Sequence, residues 1–115
     1  VPPVARDARL YLEDMSGFCE TVRRYTAGFD KERLLADTMR FDATLRNLEL
    51  IGEAASHVPP EWRERAPGVP WRQLVATRNR LIHAYLGLDP DIIWSIVTDD
   101  IPTLQRELTL LLAQA

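Results

Sequence analysis

Apolar side chains recur at intervals of three and four along almost the whole chain, and prolines and glycines supply the breaks in that pattern. Such a period places the side chains on one face of an α-helix, whereas a half-buried strand needs strict alternation, and no stretch offers a convincing period of two. The chain is therefore expected to be all-α. A first helix is predicted over residues 7–26, with Leu10, Phe18, Val22 and Tyr25 toward the core and Gly28 beyond its end as a C-terminal cap. Asp30 can cap a second helix over 31–57, where Leu34, Phe41, Leu45, Leu48, Gly52, Ala55 and Val58 keep the helical period. Pro59-Pro60 stops it.

A short turn or helix is predicted around 61–65, and Ala66-Pro67-Gly68-Val69-Pro70 reads as a loop. Pro70 or Trp71 then opens a helix that Gly87 closes. Asp89-Pro90 has the form of an N-cap followed by a first-turn proline, starting a last helix that carries Ile92, Ile93, Ile96, Val97, Ile101, Leu104, Leu108 and Leu111. Pro102 falls inside that pattern. It lacks an N–H and collides with the preceding turn, so a kink or break is expected over 99–102. Trp71 and Trp94 are expected in the core, since tryptophans on amphipathic helices are more often anchors than base-stacking platforms.

A chain of 115 residues suits one domain, 1–115, large enough to bury a core without disulfides or metals. The single cysteine, Cys19, cannot pair internally and reads as a small buried hydrophobe in a reducing compartment. With one cysteine and two histidines 26 positions apart, no zinc-site spacing exists, and no metal ligands are expected. No stretch approaches the roughly 20 apolar residues of a membrane helix. The first residues, Val1-Pro2-Pro3-Val4-Ala5-Arg6, lack the apolar run of a signal peptide, so a soluble, cytoplasmic protein without membrane contact is expected.

The net charge of -3 gives no general attraction for nucleic acid, but the charge is unevenly spread. Residues 62–86 hold five arginines against the one acid Glu64, a local net of +4, which leaves -7 on the remainder. Within that basic segment lies Arg78-Asn79-Arg80-Leu81-Ile82-His83-Ala84-Tyr85, three kinds of chemistry crowded into eight positions. On a helix, Tyr85, Arg78, Ile82, Leu86, Asn79 and His83 spread over an arc of about 160°. Asn79 and His83 are i,i+4 neighbours, so the amide can orient the imidazole. Tyr85 nearly overlays Arg78 two turns on. Cleaving RNA without a metal needs a base for the 2′-hydroxyl, an acid for the leaving 5′-oxygen, and positive charge for the transition state. His83 and Arg78 can supply these functions, with Arg72 and Arg80 available for flanking phosphates. Spacing alone leaves open that Arg78 and His83 only cap or pair within a bundle. Asn47, Glu49 and Glu53 read as a hydrogen-bond network or a solvated face, outside the catalytic set, and His57 as a helix C-terminal histidine.

Five blocks carry a wider resemblance: Arg9-Leu10-Tyr11-Leu12-Glu13-Asp14, Arg46-Asn47-Leu48-Glu49-Leu50-Ile51-Gly52-Glu53-Ala54-Ala55, Pro70-Trp71-Arg72-Gln73-Leu74-Val75-Ala76-Thr77 running into the 78–85 motif, Asp89-Pro90-Asp91-Ile92-Ile93-Trp94, and Asp99-Asp100-Ile101-Pro102-Thr103-Leu104. In order and spacing they are similar to the HepT family of HEPN-domain toxins. The resemblance implies an up-and-down bundle of about four to five helices that forms a homodimer, with the Rx4HxY motifs of two subunits meeting at a cleft. It implies a metal-independent endoribonuclease, toxic to its own cell and needing no cofactor, whose catalytic Arg and His fall on Arg78 and His83. It also implies a partner, a nucleotidyltransferase antitoxin of the MNT type that transfers AMP to the motif tyrosine, which falls on Tyr85. Two rival readings are a non-catalytic subunit that serves as substrate of a nucleotidyltransferase, and a nucleotide-sensing helical dimer.

Overall fold

Buried side chains on the longest helices recur at threes and fours, but of Leu10, Phe18, Val22 and Tyr25, expected in the core from the first helix, only Val22 is buried, with Phe18 and Tyr25 half-buried. The computed structural model describes residues 3–83 and 88–114. Its helices are α1 (Pro3–Thr26), α2 (Lys31–Ala36), α3 (Thr38–Ser56), α4 (Pro60–Arg63), α5 (Trp71–His83), α6 (Pro90–Ser95) and α7 (Ile101–Gln114), with a π-helical turn, Ile96–Asp100, joining the last two. No strand occurs among the described residues. Helix α1 buries Ala8, Leu12, Met15, Cys19 and Val22, and α7 buries Ile101, Leu104, Leu108 and Leu111. Each large apolar side chain so buried contributes about 1.5–3 kcal/mol. Helix α3 lies between α1 and α5, and α7 packs along another face of α1. No helix among the described residues is long and apolar enough to cross a membrane.

The first helix ends as expected, with Gly28 at φ +76°, the left-handed conformation in which a Cβ is strained. Leu10, expected in the core, is instead 53 % exposed. The buried stripe of α1 runs through Ala8 and Leu12, and Leu10, about 200° from each, must point away from it.

The second predicted helix is two helices. Asp30 caps the first, its carboxylate accepting from the Arg33 N–H at 2.8 Å. Asp37 then divides the run. Its own N–H donates to the carbonyls of Arg33 and Leu34, closing α2, while its carboxylate accepts from the Arg40 N–H at 3.1 Å, opening α3. Leu34 and Phe41 are seven positions apart, two full turns, so the apolar period crosses this break without losing phase. Phe41 and Leu45 pack against the core rather than within it, while Leu48, Gly52, Ala55 and Val58 are buried.

Arg63 closes the far end of α3. Its Nε and Nη2 donate to the carbonyls of Val58 and Ala55, both at 2.9 Å, the second of which also accepts from the Val58 N–H at 3.2 Å. Trp71 is buried as expected, and its indole N–H donates to the Ala66 carbonyl at 3.1 Å. Trp94 is only half-buried. Asp89 caps α6 through the Asp91 N–H at 2.8 Å. The proposed closing residue of α5, Gly87, lies outside the described residues.

The interruption attributed to Pro102 takes the form of the π turn, slightly earlier than expected. The Ile101 N–H donates to the Ile96 carbonyl, one residue beyond the α-helical register. That wider turn sits where the pyrrolidine ring would collide with the previous turn, and it leaves Pro102 in the first turn of α7, where its missing N–H costs least.

Candidate active site

Helix α5 carries Arg78, Asn79 and His83, and its seat on α3 is set by one glycine. A Cβ on Gly52 would lie 2.5 Å from the Arg78 Cβ and 2.5 Å from the Leu74 carbonyl oxygen. No side chain fits there. The glycine therefore lets the backbone of α5 close on α3 at the turn that bears Arg78.

This approach turns Arg78 inward, leaving its side chain 21 % exposed, and brings its Nη1 into an ion pair with Oε2 of Glu53. Glu53 is the residue after Gly52, so the glycine that admits α5 also sets the carboxylate beside the guanidinium. The other Glu53 oxygen, Oε1, lies 3.2 Å from Nε2 of His57. His57 in turn stacks on Tyr11 of α1, with ring centroids 5.1 Å apart and planes inclined by 19°. The Glu53 carboxyl is held below the ordinary carboxylate value, first by its hydrogen bond with His57 and then, against a desolvation cost, by the hydrogen bond and charge of Arg78. It remains an anion at neutral pH. The Arg78 Nε is buried and has no hydrogen-bond partner among the described residues.

Asn79 and His83 are exposed, as are Arg72 and Arg80. No hydrogen bond joins the Asn79 amide to the His83 imidazole among the described residues of the single chain. Ile82, 43 % exposed, lies between them and Arg78 on the helix surface and keeps an apolar patch beside the polar groups. Arg80 points to the other side, where it borders a groove of about 320 Å³ with Leu48, Leu74, Thr77, Ile96 and Asp100. Partial burial and the neighbouring Asp99 push the Asp100 carboxyl up. Tyr85 lies outside the described residues.

Two residues set aside on sequence grounds enter the site. The sequence suggests a network or solvated face for Glu53 and a helix C-terminal position for His57; His57 is indeed the C-cap of α3, but it also holds Glu53. The available signal was their i,i+4 spacing directly after a glycine in an otherwise ordinary helix. Asn47 and Glu49 stay within their own helix, Asn47 donating to the Ala43 carbonyl at 2.9 Å and Glu49 pairing with Arg46 at 3.0 Å.

The model of the HepT-like ribonuclease family matches residues 15–111, a span that includes Glu53, His57, Arg78 and His83. The chain belongs to this family. Full-length relatives agree. A protein of Methanocaldococcus jannaschii that its name assigns as an RNase is 36 % identical over 102 residues, covering 89 % of this chain and 94 % of the relative. A protein of Thermococcus cleftensis named as ribonuclease HepT is 37 % identical over 100 residues, covering 87 % and 91 %. A further protein named as an RNase, from Caldanaerobacter subterraneus subsp. tengcongensis, is 36 % identical over 99 residues, covering 86 % and 88 %. No solved structure matches the chain significantly. As a HepT-like protein the chain is placed by class among RNA-cleaving nucleases, and Arg78 and His83 lie in the stretch that the family model covers.

Proposed function

We propose that this HepT-like protein is a metal-independent endoribonuclease toxin that acts as a homodimer, with Arg78 and His83 at its catalytic centre and Tyr85 as its point of control. The observation that carries the reading is the contrast along α5: Arg78 is fixed against α3 by Glu53, while Asn79 next to it and His83 just over a turn on stand exposed. A fixed cation can stabilise charge developing on a phosphate without reorganising, and an exposed imidazole can reach a 2′-hydroxyl or a leaving oxygen. One histidine supplies either the base or the acid. A two-fold dimer that sets two α5 helices face to face supplies both, with the apolar Ile82 patch between them. Asn79 then orients His83, and the exposed Arg72 and Arg80 contact flanking phosphates.

Tyr85 follows Arg78 by seven positions. AMP transferred from ATP to its hydroxyl by an MNT-type nucleotidyltransferase antitoxin, with pyrophosphate leaving, adds a phosphodiester charge seven positions after the arginine and blocks the substrate phosphate. Incubation with such a partner and ATP is expected to raise the protein's mass in steps of one AMP and to silence cleavage, and Tyr85→Phe is expected to abolish both effects. An unchanged mass with a partner that is active on other substrates contradicts the control by AMP transfer.

A further inference from the structure

Arg78 presents a guanidinium that is only partly used. Glu53 takes one N–H of Nη1, and no other hydrogen bond to the group occurs among the described residues. The Nε–H is buried and no partner for it occurs among the described residues, so it is not the side a phosphate approaches. The Nη donors that Glu53 leaves form the edge this guanidinium can offer to a phosphate. Where that edge points is decided by Glu53, a flexible side chain 48 % exposed, with several rotamers to lose.

Glu53 is itself held from the opposite side. His57 engages its Oε1 while Arg78 engages its Oε2, so one carboxylate oxygen is committed to the C-cap of α3 and the other to the middle of α5. The imidazole is fixed in turn by the Tyr11 ring of α1. The charged and titratable groups around His57 are therefore Glu53 on its own helix, Tyr11 from α1, Arg63 from α4, which spans the nearby Ala55 and Val58 carbonyls, and Arg78 from α5 through Glu53. Three helices meet in one chain of contacts: Tyr11, His57, Glu53, Arg78.

We propose that Glu53 and His57 are positioning residues for RNA cleavage: His57, set by its stack on Tyr11, fixes Glu53, and Glu53 fixes the Arg78 guanidinium with its remaining Nη donors left for the scissile phosphate. Neither touches substrate. The proposal rests on the ribonuclease reading of the site, and it assigns work to a second histidine in the same subunit. Misplacing a charge-stabilising group by a fraction of an ångström to an ångström costs about 10- to 100-fold in rate, mostly in kcat.

His57→Phe separates this from a plain structural role, because it keeps an aromatic ring against Tyr11 and removes only the hydrogen bond to Glu53. The expected result is a displaced Arg78 Nε–H resonance, identified by its disappearance in Arg78→Lys, together with a kcat for RNA lowered about 10-fold and a KM changed less than about 2-fold. His57→Gln, which can still donate to Glu53, is expected to restore part of both. An unmoved Arg78 resonance in His57→Phe overturns the proposal. So does a displaced resonance with unchanged kcat. If the unaltered protein cleaves no RNA at all, it is the ribonuclease reading that fails, and the resonance alone then decides whether His57 controls Arg78.

Discussion

Replacing His83 by alanine is expected to slow RNA cleavage by about 10²–10⁴-fold, the range a single positioned acid or base contributes, and by more if both imidazoles of a dimer act on one phosphate. The fold should not change. His83 is exposed, so the variant's thermal midpoint should match that of the unaltered protein within the small range of surface substitutions. The two measurements together exclude unfolding as the cause of lost activity. Equal cleavage by the His83→Ala protein would remove the histidine from the mechanism and point to a contaminating nuclease.

Gly52→Ala should have the largest effect on stability of any single-methyl addition in the site. The new Cβ would stand 2.5 Å from both the Arg78 Cβ and the Leu74 carbonyl oxygen, and the second of these is backbone, which cannot swing aside. Helix α5 must move away from α3. Overpacking of this kind costs about 1–3 kcal/mol, which urea unfolding should report as a lower midpoint with an unchanged slope. Arg78 moves with α5 while Glu53 stays on α3, so cleavage should fall further than the loss of folded protein explains. A midpoint within error of the unaltered protein would show that α5 does not depend on Gly52 for its seat.

The helices were legible because their signals are local. Asp30, Gly28, Pro59-Pro60 and Asp89-Pro90 each act within one turn, and each lies where its backbone chemistry requires. Asp37 is hidden in the pattern because the apolar period continues in phase across it, and periodicity alone cannot report a break between residues two full turns apart. Leu10 was misplaced for a related reason: a leucine on a helix invites burial, but the true stripe of α1 includes small Ala8 and Cys19. Arg78 and His83 stood out through residue type, since an arginine and a histidine among leucines and alanines are visible in one dimension. Their setting was not. The Glu53 partner is 25 positions away, and only the packing of α5 on Gly52 brings the two together. His57 matched its expected place at a helix end, yet its second role depends on Tyr11 from a helix that no local pattern connects to it.

The decisive measurement is the chemistry of the cut ends. Purified protein incubated with RNA in EDTA should release fragments bearing 2′,3′-cyclic phosphate and 5′-hydroxyl termini, the products of attack by the neighbouring 2′-hydroxyl assisted by His83 and stabilised by Arg78. Intact RNA in EDTA, or fragments that end in 3′-hydroxyl and 5′-phosphate, would contradict an arginine and histidine site working without a metal.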